Sequence, residues 1–581
     1  MITIDAEPLL IGMTGAPAAI SAEIAGSKAA QLWRMAGLGL EVPPAFVLPT
    51  TLCIAVNAGQ DDALRTLDQG LRGGVVQLET ATARRLGDSR SPLFVSVRSG
   101  AAKSMPGMLE TILNVGLNDE TVHGLIRLSG NPRLAWDSYR RFVQAYAEVV
   151  YGVGSGEFDR RLADMMRKEG VELETDLDPE ALERLAIDFG DIASRLSAVP
   201  PSDPIEQLNG AALAVYRSWD SPRAREYRRL NKLDDLRGTA VTVQAMVFGN
   251  AGGKSGAGVA FSRNPSNGVN EFYLDFLSDA QGEDVVSGRR TPSGAAQLAT
   301  RLPQVFQQLR DGAQRLERDF GDVQDIEFTV ENGHLYFLQT RSAKRTPSAA
   351  LRIAVDLARE GLIDVKTALA RIADIDLDCV GAMRFDRPGE PVATAISASP
   401  GVASGRVALD SAGAKRLAAS GEPVILVRPD TSTEDVAGFA VSAGILTAIG
   451  GRTAHAAVVA RQLGKVCLVG CRTLAVDEAR REATIGQHSL REGDWLSLDG
   501  ERGEITLGRR EIIVDKPEAE LAEIDRWRKQ IQEAKTTEAS ATSPTPNKRP
   551  RAGRQDLTSP NAARTKPSRC ASARRRPVTS R

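Results

Sequence analysis

Residues 450–470, GGRTAHAAVVARQLGKVCLVG, surround one of only four histidines in the chain with small side chains. His455 follows Gly450, Gly451 and Ala454 and directly precedes an apolar helical pattern. Small neighbours let another molecule approach the imidazole closely, and the unpaired N–H groups at a helix start attract an anion. The pattern therefore predicts that His455 carries a phosphoryl group.

A second cluster able to do chemistry lies in two predicted strands that form a hairpin. Asp325 and Glu327 are two residues apart and share a strand face, as do Gln339 and Arg341 on the other arm. Carboxylates hold Mg²⁺, and arginine neutralises phosphate oxygens. Together they suggest the floor of a nucleotide site, although alternating polar residues are also normal on a half-exposed strand.

Two cations earlier in the chain suit the same phosphates. Lys28 follows Gly26-Ser27 at a predicted helix start, and Arg98 ends the predicted strand FVSVRSG. The loop after this strand, AAKSMPGM, could cover phosphates with its backbone N–H groups. The sequence GxxxxGK[ST] does not occur, so the site is not a Walker loop.

The elements that must position these residues follow from periodicity. A helix and then a strand are predicted within residues 20–50, and residues 120–235 are mostly helical. Alternating helix-forming and charged stretches in 345–385 suit a linker, and short strands, glycine turns and helices alternate from 396 to 508. A charged helix and a basic tail follow. Further strands are predicted at 239–248, 257–262, 271–276, 324–330 and 334–339.

Composition limits the function classes. The 581 residues are 42% hydrophobic and 25% charged, with no apolar run near the roughly 18–20 residues that span a bilayer. The start lacks a signal-peptide pattern, and five scattered cysteines favour reduced thiols, so a cytoplasmic protein of several domains and no membrane partner is predicted. Residues 535–581 hold 12 Lys/Arg against two acids, which is typical of a nucleic-acid arm, a disordered extension or a reading-frame artefact. No aromatic residue interleaves the arginines, so nucleic acid is not an expected partner.

Longer motifs resemble one family. SVRSGAAKSMPGMLETILNVGLNDETV, VFGNAGGKSGAGVAFSRNPSNG and DIEFTVENGHLYFLQTR resemble the nucleotide-binding half of pyruvate, phosphate dikinases. ASPGVASGRV, ILVRPDTSTEDV and GGRTAHAAVVARQLGKVCLVG resemble that family's phosphohistidine domain. The resemblance runs from about residue 20 to 528. It implies a multidomain α/β and α+β protein with these parts: an ATP-grasp nucleotide-binding domain (1–344) with a helical insertion (about 120–235), a helical linker (345–395), a swivelling β/β/α phosphohistidine domain (396–509), a helical extension (510–534) and a disordered basic tail (535–581).

The resemblance also implies roles for individual residues. The nucleotide and its Mg²⁺ would be bound by six residues, of which Glu327 and Asp325 would hold the metal: Lys28, Arg98, Asp325, Glu327, Gln339 and Arg341. His455 would be the nucleophile, and Thr453 matches a threonine that a regulatory enzyme modifies in some members. Asp275 stands where the family usually has glutamate, and Glu283 is an alternative carboxylate there.

The implied function is an ATP-dependent phosphotransferase. ATP and inorganic phosphate would phosphorylate His455, with release of AMP and pyrophosphate, and pyruvate would then become phosphoenolpyruvate. The family's barrel that binds pyruvate would be supplied by a separate chain, and a homo-oligomer is left open. The alternatives are a phosphoenolpyruvate synthase-like or other small-molecule dikinase and a non-catalytic phosphocarrier or regulatory protein.

Overall fold

The computed structural model describes residues 7–103, 105, 109–171, 173–287, 294–377, 380–387, 389–431, 435–451, 455–477 and 480–541. Residues up to Ile524 form one compact unit, and Asp525 begins a second one. Several sheets and many helices make this a mixed α/β protein, as the sequence predicts.

The amino-terminal sheet has five strands in the order β1-β2-β7-β5-β6. Its strands are β1 (Leu9–Ile11), β2 (Ala45–Leu48), β5 (Val95–Gly100), β6 (Thr111–Val115) and β7 (Ala240–Ala245). The helices between them are α1 (Ala22–Gly37), α2 (Thr50–Asn57) and α3 (Asp61–Thr82), and two short strands, β3 (Arg85–Leu86) and β4 (Pro92–Leu93), pair with each other. The chain leaves this sheet after β6 and returns to its centre with β7.

Helices fill the segment between β6 and β7, and their starts are encoded locally. They are α4 (Thr121–Ser129), α5 (Pro132–Tyr151), α6 (Gly156–Glu169), α7 (Pro179–Arg195), α8 (Pro204–Ser218) and α9 (Pro222–Leu230). Four of them begin with proline at the first position behind a side-chain cap, from Asn131, Asp178, Asp203 and Ser221. Proline needs no N–H there and its φ suits the helix, while the cap accepts from an otherwise unpaired N–H. The predicted helical character of residues 120–235 is thus confirmed.

A second sheet carries the predicted hairpin. Its strands follow the order β11-β10-β8-β9: β8 (Gly256–Phe261), β9 (Tyr273–Ser278), β10 (Gln324–Glu331) and β11 (His334–Ser342). Three helices lie between β9 and β10: α10 (Gly282–Ser287), α11 (Ala295–Arg301) and α12 (Pro303–Phe320). The five strands predicted between 239 and 339 are confirmed as β7 to β11.

The helices after β11 are packed against this second sheet. They are α13 (Pro347–Arg359) and α14 (Val365–Arg371). Ile353 and Leu357 share an apolar core with β8 and β9, and buried Arg263 binds both Glu317 and Glu360. The first part of the predicted linker is therefore fastened to the second sheet.

The third sheet forms the histidine-bearing body, with the order β13-β23-β22-β15-β16-β17-β18-β14. Its strands are β13 (Ala393–Thr394), β14 (Ile396–Ser399), β15 (Val402–Ala408), β16 (Val424–Arg428), β17 (Gly444–Thr447), β18 (Val466–Val469), β22 (Trp495–Asp499) and β23 (Glu504–Leu507). Its helices are α15 (Ser411–Ala419), α16 (Val436–Val441) and α17 (His455–Gln462). A small antiparallel sheet joins β19 (Leu474–Asp477), β20 (Glu482–Ile485) and β21 (His488–Arg491). Strands β22 and β23 form an antiparallel hairpin near the end of this segment.

The two connections to this body run side by side. Before it, β12 (Ala382–Phe385) pairs antiparallel with β24 (Ile512–Asp515), which follows it. Helix α18 (Glu518–Ala541) comes next and extends seven residues past the predicted helical extension; the predicted tail from 542 lies outside the described residues. Among the described residues, no helix is both long and apolar enough to cross a membrane.

Candidate functional site

The four polar residues of the hairpin lie directly opposite one another. Asp325 on β10 pairs with Arg341 on β11, and Glu327 pairs with Gln339. Arg341 donates from Nε to Oδ2 of Asp325 at 2.8 Å, and Gln339 Nε2 lies 3.4 Å from Oε1 of Glu327. The shared face predicted from spacing is therefore confirmed for these four residues.

A bulge in β11 makes this arrangement compatible with the core. The pairing skips Leu338, so that Phe337 lies opposite Phe328 while Gln339 lies opposite Glu327. In a regular strand Phe337 and Gln339 would share a face. The extra residue allows Phe337 to enter the apolar core with Phe328 and leaves Gln339 on the polar face.

Lys28 is positioned by a break in α1. Gly26 has φ 79° and ψ 157° within the helix, and a Cβ there would lie 2.2 Å from the carbonyl oxygen of Gly100. Only glycine permits this backbone and this close approach. The Ser27 N–H donates to Ala101 O at 2.8 Å, so the start of the second helical segment is anchored at the end of β5. The pKa of Lys28 is lowered to about 8, mainly by burial and then by the charges of Arg98 and Arg341, while Glu327 opposes the shift.

Arg98 lies on β5 of the first sheet and interacts electrostatically with Glu327 of the second sheet. Burial lowers the pKa of its guanidinium, and the carboxylates of Glu327 and Glu283 oppose that shift. Its Nε is buried and has no hydrogen-bond partner among the described residues. A buried donor without a partner is costly, which is what a site for an anion requires before the anion binds.

A cavity of about 310 Å³ opens beside these residues. Three of the six predicted nucleotide-binding residues line it, namely Lys28, Gln339 and Arg341. The other lining residues are Ser27, Gln31, Tyr227, Ser342 and Lys344, none of which sequence reasoning identified. Arg98, Asp325 and Glu327 do not line the cavity but are joined to its cations through charge.

The acidic side of the site can accept a metal. Asp325 is buried, which raises its pKa while Arg341 opposes that shift, and its Oδ1 has no hydrogen-bond partner among the described residues. The register puts Asp275 two strands from Glu327, with Val259 between them. Within the described residues, no group of three or more His, Cys, Asp or Glu side chains is placed to hold a metal ion by itself. Mg²⁺ commonly uses one or two carboxylates with phosphate oxygens and water, so Glu327 and Oδ1 of Asp325 fit it.

His455 is the first residue of α17, which follows β17 after a short loop. Its backbone is helical, while its side chain and all of Thr453 lie outside the described residues. Ala456, Ala457 and Ala460 are buried against the neighbouring strands. The start of α17 thus lies at the carboxyl edge of the parallel strands β16, β17 and β18, as expected for a helix that presents its first turn to a ligand.

The histidine-bearing body rests against the second sheet. Arg461 of α17 is almost completely buried; its guanidinium donates to Ala398 O at 2.7 Å and lies 5.9 Å from the ring centre of Phe261 on β8. Asp325 and Asp275 both contribute to the electrostatic surroundings of Arg461. Across the same contact, Ser266 Oγ donates to Ala398 O at 3.2 Å and Tyr273 Oη donates to Ser397 O at 3.2 Å. Sequence reasoning missed Arg461, although it lies six residues after His455 on the same helix.

Comparisons with known proteins agree with this geometry. Residues 64–305 and 302–361, which together span just over half of the chain, match the family described as pyruvate phosphate dikinase, AMP/ATP-binding domain. Residues 420–503 match the mobile domain of PEP-utilising enzymes.

Individual relatives carry the same name. The chain is 44% identical over 527 residues to a chloroplastic pyruvate, phosphate dikinase of Flaveria pringlei, and the match covers 90% of this chain and 55% of the relative. It is 45% identical over 490 residues to the pyruvate, phosphate dikinase of Clostridium symbiosum, with 83% and 56% covered. The chain therefore spans about half the length of these curated relatives, and it belongs to the pyruvate, phosphate dikinase family.

Proposed function

We propose that this chain is an ATP-dependent phosphotransferase of the pyruvate, phosphate dikinase type, in which His455 takes a phosphoryl group from ATP. The observation that carries the proposal is the convergence of three cations, Lys28, Arg98 and Arg341, on the carboxylates of Asp325 and Glu327. The packing of helix α17 against the same sheet supports it, because the acceptor nitrogen must reach the nucleotide.

The cations would act as phosphate ligands in an ATP-grasp fold, in which the two amino-terminal sheets enclose the nucleotide. Lys28 and Arg341 line the cavity, and the unpartnered Nε of Arg98 offers a further donor. In phosphoryl transfer, positioning and charge neutralisation supply most of the catalysis. Gln339 would hold Glu327 in place through its amide.

Mg²⁺ would be held by Glu327 and Asp325, with the nucleotide completing the site. When bound, the ion supplies positive charge beside the phosphates. Asp325 would keep Arg341 oriented through its Oδ2 while offering Oδ1 to the metal.

His455 would attack with a neutral ring nitrogen. A bond forms between that nitrogen and the β-phosphorus, the bond from the β-phosphorus to AMP breaks, and AMP leaves. The γ-phosphoryl group passes to inorganic phosphate and gives pyrophosphate. We propose pyruvate as the final acceptor of the phosphoryl group.

The carrier would swivel between its two sites. Helices α13 and α14 are fastened to the nucleotide side, since Arg263 binds Glu360 and Arg371 donates to Gly321 O at 2.7 Å. The joint would therefore lie in residues 373–395, which precede the histidine-bearing body, and in β24, which follows it and pairs with β12. The remaining domain boundaries, and a regulatory role for Thr453, stay predictions. The plant relatives are named chloroplastic, so the cytoplasmic location also stays a prediction.

Labelling from ATP tests the proposal. The full chain is incubated with Mg²⁺, inorganic phosphate and ATP labelled at either the β- or the γ-phosphate. We expect acid-labile label from the β-phosphate on the wild type and none on His455→Asn. The absence of histidine-dependent label with either substrate, together with measurable ATP binding, would instead favour a non-catalytic phosphocarrier or regulatory protein.

The cosubstrate separates the two enzyme classes. A dikinase passes the γ-phosphoryl group to inorganic phosphate and gives pyrophosphate, whereas a synthase-like enzyme passes it to water and gives phosphate. With γ-labelled ATP we expect labelled pyrophosphate that forms only when inorganic phosphate is added. Release of the label as inorganic phosphate would move the assignment to the synthase-like alternative.

A further inference from the structure

A second cavity lies at the end of the strands opposite to the one that His455 follows. A groove of about 790 Å³ runs along the amino ends of β16, β17 and β18, where Pro423, Ala443 and Lys465 directly precede these strands. His455 follows the carboxyl end of β17, at the opposite edge of the same strands. The other wall is the ribbon of β12 and β24, which contributes Met383 and Ile512.

The groove combines an apolar floor with more cations than acids. Three cations, Lys465, Arg509 and Arg510, and one acid, Glu511, line it. Burial lowers the pKa of Lys465, and within the described part of the chain its ammonium forms no salt bridge. A half-buried ammonium without a counter-ion is unfavourable until an anion binds.

An aromatic surface lies beside these charges. The guanidinium of Arg509 is 4.9 Å from the ring centre of Trp495, and that of Arg406 is 4.7 Å from it. Arg406 is engaged by Gly493 O at 3.0 Å, and Arg510 donates from Nε to Thr506 Oγ1 at 3.0 Å. Among the described residues, Lys465 and Arg509 are the lining cations for which no hydrogen bond or salt bridge is found, so they are the cations that a ligand could engage.

We propose that this groove binds a small organic anion, with its charged group on Lys465 and Arg509 and its hydrocarbon or aromatic body against Trp495, Met383 and Ile512. The volume lies within the range of small-molecule sites. Charge complementarity excludes the chain's own basic carboxyl-terminal segment as occupant, since residues 535–581 carry 12 Lys/Arg against two acids. Because one wall is the connecting ribbon and the other is the histidine-bearing body, an occupant would brace the joint between them.

The first test uses 8-anilinonaphthalene-1-sulfonate, a fluorescent sulfonate with an aromatic body, on the full chain. A saturating non-hydrolysable ATP analogue with Mg²⁺ keeps the probe out of the nucleotide cavity. We expect saturable binding that Lys465→Met weakens about tenfold or more, because a charge-assisted contact is lost. Lys415→Met removes the same charge from an exposed position on α15 of the same body and should leave affinity within twofold. Equal affinities of the two variants would overturn the proposal.

Two further measurements guard against a folding defect. Arg509→Gln changes an exposed side chain and should weaken probe binding about threefold at an unchanged melting temperature. Trinitrobenzenesulfonate, an aromatic anion that arylates uncharged amines with loss of sulfite, should modify Lys465 faster than Lys415 in peptide mapping, and the fluorescent probe should protect Lys465. Modification of Lys465 at an unaltered rate in the presence of saturating probe would also contradict a site in the groove.

Discussion

The nucleotide side and the histidine-bearing body are fastened in different ways. Within the nucleotide side, buried Arg263, two residues after β8, binds Glu317 of α12 and Glu360 just after α13 at 2.6–2.9 Å. Between the two bodies, the described polar contacts include two hydrogen bonds of 3.2 Å and the charge of Arg461. Breaking a buried, doubly paired arginine costs several kcal/mol, whereas a neutral hydrogen bond contributes about 1 kcal/mol. The first arrangement suits a fixed site and the second a carrier that leaves.

The same contrast holds at the level of residue types. The nucleotide site depends on charged side chains brought together from distant parts of the chain, and the neighbourhood of His455 depends on small residues and backbone. A substitution in the nucleotide site should lower the rate of phosphoryl transfer without weakening the contact between the two bodies. A substitution at that contact should slow phosphoryl transfer without weakening nucleotide binding.

The largest effect is expected from Arg341→Met. It removes a guanidinium that lines the cavity and holds Asp325, so labelling of His455 should fall about 10²–10³-fold. The measurement is the initial rate of label incorporation at saturating ATP. Arg65→Met, at an exposed position on α3, is the matched control and should retain the wild-type rate. A loss below fivefold in Arg341→Met would contradict its proposed role.

Gly26→Ala tests whether backbone geometry positions Lys28. The added Cβ would meet the carbonyl of Gly100, and alanine disfavours this backbone, so the free energy of unfolding should fall by roughly 3 kcal/mol. ATP affinity in calorimetry should fall at least about tenfold. Gly37→Ala, in open space at the end of the same helix, should change stability by less than about 1 kcal/mol. Equal changes in stability and ATP affinity in the two variants would mean that the break in α1 does not position Lys28.

Sequence patterns within single strands and helices are enough to predict those parts of the site that one element supplies. The period of a strand is enough to put Asp325 with Glu327 on one face, and Gly26-Ser27 is a readable break before Lys28. The bulge at Leu338 has no signal in the sequence of β11 itself. It forms because Phe337 packs beside Phe328 of the neighbouring strand in the apolar core.

Residues supplied by tertiary packing could not be predicted. Tyr227 reaches the cavity from α9, about 200 residues along the chain from Lys28, and Lys344 follows the end of β11. In the sequence, Arg461 is one basic residue near the end of a predicted helix, and a cation is favourable at that position in any protein. Its burial becomes visible only when the two bodies meet.

The pH dependence of ATP binding sharpens the electrostatic side of the comparison. The pKa of Lys28 is lowered to about 8, and phosphate binds its charged form. Affinity should therefore be constant below pH 8 and fall by up to about tenfold per unit above it, with proton uptake on binding. Calorimetry at pH 7, 8 and 9 in two buffers measures both quantities. Lys28→Met should bind weakly and without this dependence, while the exposed Lys366→Met should follow the wild type.

The smallest effect is expected at the contact that holds the carrier. Tyr273→Phe removes the hydrogen bond to Ser397 O, worth about 0.5–1.5 kcal/mol, so labelling of His455 should slow about two- to tenfold at unchanged ATP affinity. Tyr336→Phe, on β11 near Glu41, is the control in the same sheet and should leave the rate unaltered. If Tyr273→Phe weakened ATP binding as much as it slowed labelling, Tyr273 would belong to the nucleotide site. A selective loss of rate would instead mean that a weak contact sets how often the carrier is loaded, because a stronger one would hold the histidine where it could not unload.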